Sequence, residues 1–189
     1  EGIRKLMKPG RLTVIDEAYV DFGAESAVAL LDEYENLLVV KTFSKSRSLA
    51  GGRIGYAVGS KELIADLNAL RYSFNPYNIN SLSMLAGIEA VNDVAYFEEC
   101  RAKIIKNRAV LSCGLRQLGF TVLDSKANFV FAKPEKMSGK ACFDALRQNG
   151  ILVRRFDKPR IADYLRITVG DEIQTAEFLE TMKMIIQKG

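Results

Sequence analysis

The sequence predicts an α/β region followed by a smaller α+β region. Three observations carry this. Over the first half, short β-branched apolar runs alternate with helical patterns. A long amphipathic pattern at residues 96–118 opens the second half, with Arg and Lys on its polar side. Beyond it, short strand candidates are interleaved with helical patterns. A weak turn signal near residues 92–93 divides the chain into 1–92 and 93–189.

The elements follow in order. Residues 11–16 (RLTVID) read as a buried strand ending in an acid. Residues 37–42 (LLVVKT) and 54–59 (IGYAVG) read the same way. Helical patterns cover 61–71 and 82–91. The amphipathic helix over 96–118 ends at Gly119, which suits a left-handed cap. Residues 128–132 (NFVFA) are a strand, 138–149 a helix closed by Gly150, and 151–154 and 164–169 two more strands. The last helix, 171–187, starts acidic and ends basic, as its dipole favours. Asn78, in the PYNIN segment, reads as a helix N-cap.

Composition narrows the function. Of 189 residues, 48% are hydrophobic and 26% charged, which fits a globular protein. No apolar run approaches the roughly 18 residues of a membrane helix, so no membrane partner is expected. Residues 1–8 are charged and carry no apolar core, unlike a secretory signal. The first residue is Glu1 rather than Met, as in a piece of a longer chain. The net charge is +4, and the 27 Lys and Arg residues are dispersed, so no nucleic-acid partner is expected. The absence of His excludes His triads and His-ligated metals within this chain. Cys100, Cys113 and Cys142 are odd in number and far apart, so neither a disulfide framework nor a metal site is expected. Reduced, mostly buried thiols in a cytoplasmic protein account for them.

The chemistry concentrates in residues 41–57, KTFSKSRSLAGGRIGYA. A strand end leads into a polar loop, where α/β proteins place ligands. Thr42, Ser44, the glycines and Arg53 make a phosphate cradle: glycine lets the backbone approach, and a guanidinium binds phosphate with two hydrogen bonds. Lys45 sits among hydroxyls and arginines. Neighbouring cations disfavour a protonated amine, and an amine must be neutral to attack an aldehyde. A Schiff base beside a bound phosphate fits this loop; a polar surface loop fits it too. Asp16 and Tyr19 lie just past the first strand. Each taken alone also fits a turn acid and a half-buried aromatic. Arg47 reads as facing solvent or lying near the mouth of the site.

Three segments, VIDEAYVDF, TFSKSRSLAGGRIGYA and LRITVG, occur in the order and spacing of the fold-type-I, pyridoxal-phosphate-dependent (PLP-dependent) aminotransferases. The chain resembles this class I/II family from about Leu12 onward. It is most similar to the histidinol-phosphate aminotransferase subfamily. The resemblance implies the C-terminal part of a large PLP-binding domain followed by the small C-terminal domain. It implies that Lys45 is the Schiff-base lysine and proton shuttle. Asp16 would pair with the pyridinium nitrogen, which a carboxylate must keep protonated. Tyr19 would bond the ring oxygen O3′, and Thr42, Ser44 and Arg53 would hold the cofactor phosphate. Arg166 would bind the substrate carboxylate or its equivalent, although its place in an otherwise apolar strand also fits a surface salt bridge. Arg154 would bind the substrate phosphate; Arg155 is its neighbour on the opposite face of the strand, and only one of the two can face the site.

The implied activity exchanges an amino group between L-histidinol phosphate with 2-oxoglutarate and imidazole-acetol phosphate with L-glutamate, in histidine biosynthesis. Small-molecule substrates and a homodimer of the full-length protein follow. The resemblance starts part-way through the family, so the fragment alone is expected to bind PLP weakly and be inactive. Other readings stay open: a threonine-phosphate decarboxylase, an aromatic aminotransferase, a PLP-sensing domain of a transcriptional regulator, or a catalytically dead fragment.

Overall fold

The structure, a computed structural model, describes residues 2–188. The chain divides into two compact units, Glu1–Glu99 and Cys100–Gly189.

The first unit is built on strands β1 (Thr13–Asp16), β2 (Leu37–Thr42) and β3 (Gly55–Gly59), in the order β1-β2-β3. β1 runs parallel to β2, with Asp16 opposite Val40, and β3 returns antiparallel, with Gly55 opposite Thr42. The C-terminal ends of β1 and β2 therefore lie at the same end of the sheet. Ala27, Leu37 and Val39 are buried under Ile3, Met7, Ile15 and neighbouring apolar side chains.

Helix α1 (Lys61–Phe74) starts at Ser60, whose hydroxyl accepts from the Leu63 amide, and α2 (Ser81–Asn92) starts at Asn80, whose Oδ1 accepts from the Ser83 amide. The expected cap at Asn78 is thus displaced by two residues: a side-chain oxygen can reach the second or third amide of a helix only from the residue flanking it. These helices bury almost nothing: α1 has no buried residue and α2 only Gly87. Phe74, Tyr77 and Leu82 are at least 80% exposed. Helix α3 (Val94–Gln117) begins at the turn the sequence predicts near residues 92–93, because Asp93 Oδ1 accepts from the Tyr96 amide and opens a new helix. The division between the units falls inside α3, a few residues beyond that turn.

The second unit is a fully antiparallel sheet, β4-β5-β7-β6, made of β4 (Phe120–Leu123), β5 (Phe129–Pro134), β6 (Arg154–Arg155) and β7 (Leu165–Thr168). Strand alternation sends Val130, Ala132, Leu165 and Ile167 into a core. Leu111 and Leu115 of α3, Cys142 and Leu146 of α4 (Gly139–Gln148), and Phe178 and Met182 of α5 (Glu172–Lys188) complete it. Strand β4 was not predicted. The strand expected over 151–154 shrinks to Arg154–Arg155, because the Ile151 amide bonds to Leu146 O and is spent on closing α4. Gly119 and Gly150 adopt φ of 83° and 78°, the left-handed caps the sequence predicts. No helix among the described residues is long and apolar enough to cross a membrane.

Two outcomes test this packing. Gly139 donates to Asp163 Oδ1, and a Cβ built on it would stand 2.4 Å from Asp163 backbone atoms. Gly139→Ala should cost about 1–3 kcal/mol of stability by urea denaturation, the scale of forced overpacking. Of the three thiols expected to be mostly buried, only Cys142 is: burial pushes it up to about 11, whereas Cys100 is half-buried and Cys113, on α3, is exposed. A thiol reagent near pH 8 should therefore label Cys113 quickly and Cys142 only on unfolding; equal rates would contradict the core.

Candidate functional site

The first unit gathers its polar side chains where β1 and β2 end. Asp16 closes β1 and is exposed, with Oδ1 accepting from the Ala18 amide at 2.9 Å. That bond turns the chain and brings Tyr19 back toward the sheet end. Across the parallel pair, β2 ends at Thr42, whose Oγ1 accepts from the Ser44 amide at 3.1 Å and lies 3.4 Å from Ile54 O. Thr42 thereby ties the polar loop to the start of β3. Lys45 projects from this loop into solvent, with Nζ 5.7 Å from the centroid of the Tyr19 ring.

The loop carries backbone strain. Ser48 and Arg53 have φ of 56° and 53°, the only non-glycine residues with positive φ among those described. Such conformations persist where surrounding structure enforces them, and they cluster at functional sites. Arg53 is exposed, and its Nη1 donates to Ala50 O at 3.1 Å. Arg47 does not face solvent. Its guanidinium lies 3.7 Å from the Phe97 ring centroid and donates to Ala90 O at 2.6 Å. It pins the loop to the end of α2, because an aromatic face and an unpaired helix-terminal carbonyl both attract a cation.

Sequence reasoning missed a buried ionic group behind the loop. Glu17 is 7% exposed and accepts from Ser26 Oγ at 2.7 Å and from the Ala27 amide. Lys41 Nζ lies 3.7 Å from Glu17 Oε2 and 3.6 Å from Asp21 Oδ1. Ser46 Oγ donates to Asp21 Oδ2 at 2.5 Å. The available signal was the charge in the otherwise apolar LLVVKT strand, which demands a partner when half-buried.

The second unit brings two of the predicted arginines together. Arg154 of β6 stands directly opposite Arg166 of β7. Opposed residues of an antiparallel pair share a face. Here it is the face away from the core, since Leu165 and Ile167 are the buried residues of β7. The guanidinium of Arg166 is 5.4 Å from the Phe129 ring, and that of Arg154 is 5.5 Å from the Phe156 ring. Neither has an acidic partner among the described residues, and like charges set opposite each other are unfavourable unless an anion lies between them. Arg155 is otherwise engaged: its Nε donates to Ala162 O at 2.7 Å and it pairs with Asp157 at 3.3 Å.

Known proteins share sequence and fold with this chain. The family model for aminotransferase class I and II matches residues 1–182. Histidinol-phosphate aminotransferase 1 of Bradyrhizobium diazoefficiens is 52% identical over 178 residues, covering 94% of this chain and 51% of that protein. The histidinol-phosphate aminotransferase of Acinetobacter baumannii is 51% identical over the same share of this chain and 49% of its own length. Among solved structures, the histidinol-phosphate aminotransferase from Clostridium acetobutylicum matches 100% of this chain and 58% of its own with a TM-score of 0.88 and 27% identity. The one from Sinorhizobium meliloti, solved with pyridoxal-5'-phosphate, matches 99% of this chain and 52% of its own at a TM-score of 0.85 and 24% identity, a likeness of fold alone. The chain spans about half the length of the curated relatives it matches. These matches give the family and the share of length, and lend no support to the expected C-terminal placement. The chain belongs to the class I and II aminotransferase family.

Proposed function

We propose that the full-length protein is a PLP-dependent histidinol-phosphate aminotransferase, working as a cytoplasmic homodimer on L-histidinol phosphate and 2-oxoglutarate. The observation that carries this reading is Lys45 beside Tyr19 on the loop at the shared end of β1 and β2. Identity of about half to histidinol-phosphate aminotransferases supports the substrate. The apolar side chains left exposed on α1 and α2, Phe74 and Leu82 among them, support an assembly larger than this chain.

The residues fit PLP by their chemistry. There is an exposed amine, a carboxylate at a strand end, a phenol, two hydroxyls and a guanidinium, all from one sheet end and its strained loop. When bound, PLP supplies an aldehyde for an amine to condense with and a protonated ring that withdraws electrons from substrate Cα. Asp16 would hold the proton at the ring nitrogen, Tyr19 would bond the ring oxygen, and Thr42, Ser44 and Arg53 would hold the phosphate. The Lys45 amine would hold the cofactor aldehyde and carry the proton that leaves substrate Cα. Arg166 binds the substrate carboxylate. Arg154, exposed and opposite it, binds the substrate phosphate, while Arg155 serves the fold.

Two measurements test the assignment in the full-length protein. Lys45→Ala should lower turnover of histidinol phosphate with 2-oxoglutarate by at least about 10²–10⁴-fold; near-normal turnover would refute the lysine's role. A decarboxylase acting on threonine phosphate could use the same donors, and would release CO2 without needing 2-oxoglutarate. Arg154→Ala should raise KM for histidinol phosphate about tenfold or more, as loss of a charged hydrogen bond does. It should leave unphosphorylated histidinol nearly unchanged, and equal losses for the two substrates would remove its phosphate role.

A further inference from the structure

We infer that Glu17, Lys41, Asp21 and Ser46 form a clamp that sets where Lys45 stands relative to Tyr19, as positioning residues for the reaction proposed above, on which this inference rests.

Lys45 is poorly fixed by its own side chain. Its side chain is exposed and has no hydrogen-bond or ion-pair partner among the described residues; Nζ stands 5.7 Å from the centroid of the Tyr19 ring, and the Lys45 carbonyl accepts from the Ser48 amide at 3.2 Å. Its position must come from the backbone on either side. On the C-terminal side that backbone is held by Ser46, which is 9% exposed and donates to Asp21 at 2.5 Å. Asp21 lies two residues past Tyr19. One hydrogen bond therefore ties the neighbour of the lysine to the segment that carries the phenol.

Lys41 carries the bond further. It ends the apolar part of β2, is 17% exposed in its side chain, and lies 3.7 Å from Glu17 and 3.6 Å from Asp21. Glu17 follows Asp16 directly, and its carboxylate also takes Ser26 Oγ and the Ala27 amide. The group thus touches the Asp16–Tyr19 turn, the Val20–Phe22 turn, β2 and the lysine loop. Buried ion pairs gain little over apolar packing in stability, so their use here is better explained by fixing geometry. Reaction rates respond to that geometry: a misplacement of about 1 Å can cost about a hundredfold. The parts divide cleanly. Glu17 with Ser26 and Ala27 secures the turn, whereas Asp21 with Ser46 is the arm that reaches the lysine.

The test uses the full-length protein mixed with PLP, then borohydride, with the labelled lysine located by peptide mass spectrometry alongside kcat, KM and Tm. Wild type should be labelled at Lys45. Ser46→Ala should trap PLP at Lys45 about tenfold or more slowly and lose kcat in step, with KM for both substrates within about twofold and the folded fraction unchanged. Lys41→Met should show the same loss and Lys41→Arg, which keeps both ion pairs, should recover it. Wild type labelled at Lys45 with Ser46→Ala indistinguishable from it overturns the clamp alone. Wild type left unlabelled at Lys45 overturns the aminotransferase reading and the clamp together. A Lys41→Arg variant as impaired as Lys41→Met also overturns the clamp.

Discussion

The parallel pairing of β1 with β2 is the constraint on which the first unit depends. It is fixed at both ends. At the start, the Thr13 amide donates to Asn36 O, while the Asn36 side chain donates to Lys8 O and Arg11 O. At the finish, the Glu17 amide donates to Val40 O at 2.8 Å. A slip of one residue would turn every β1 side chain to the other face. Asp16 would leave the sheet end and Glu17 would lose Lys41. The burial of Leu37 and Val39 forbids the slip, so the hydrophobic pattern of β2 holds polar groups that contribute nothing to the core.

The second unit uses a sheet in a different way. One face is covered by helices and filled by Val130, Leu165, Ile167 and Met182. The opposite face of β6 and β7 carries Arg154 and Arg166 side by side. The short β6 makes this possible. With only two residues in the ladder, one arginine is directed to each face, and Arg155 is the one engaged with Ala162 O and Asp157. A cationic pair of this kind stores repulsion that an anion relieves.

Much of this was legible in the sequence because it rests on local rules. Strand β2 has the bounds that its β-branched run predicts, and Ser138 and the two capping glycines bracket helices as their chemistry requires. The gathering of Asp16, Tyr19, Thr42 and Lys45 at one sheet end follows from a parallel strand pair. Other features depend on partners remote in sequence. Arg47 turns inward because Phe97 lies across from it, and Lys41 is retained in a strand because Glu17 and Asp21 meet it there. Periodicity contains neither pairing. The exposed apolar helices α1 and α2 have a helical pattern without the burial such patterns normally signal, because little in this unit packs against them. β4 escaped because a four-residue strand after a glycine cap has too few residues to show alternation.

The central claim is that the paired strand ends of β1 and β2 form a single cofactor site closed by Lys45. A crystal structure of the full-length protein grown with PLP tests it most directly. The account predicts continuous density from Lys45 Nζ to the cofactor, with the Asp16 carboxylate about 3 Å from the ring nitrogen. Cofactor density joined to another lysine, or lying away from Asp16, would contradict it.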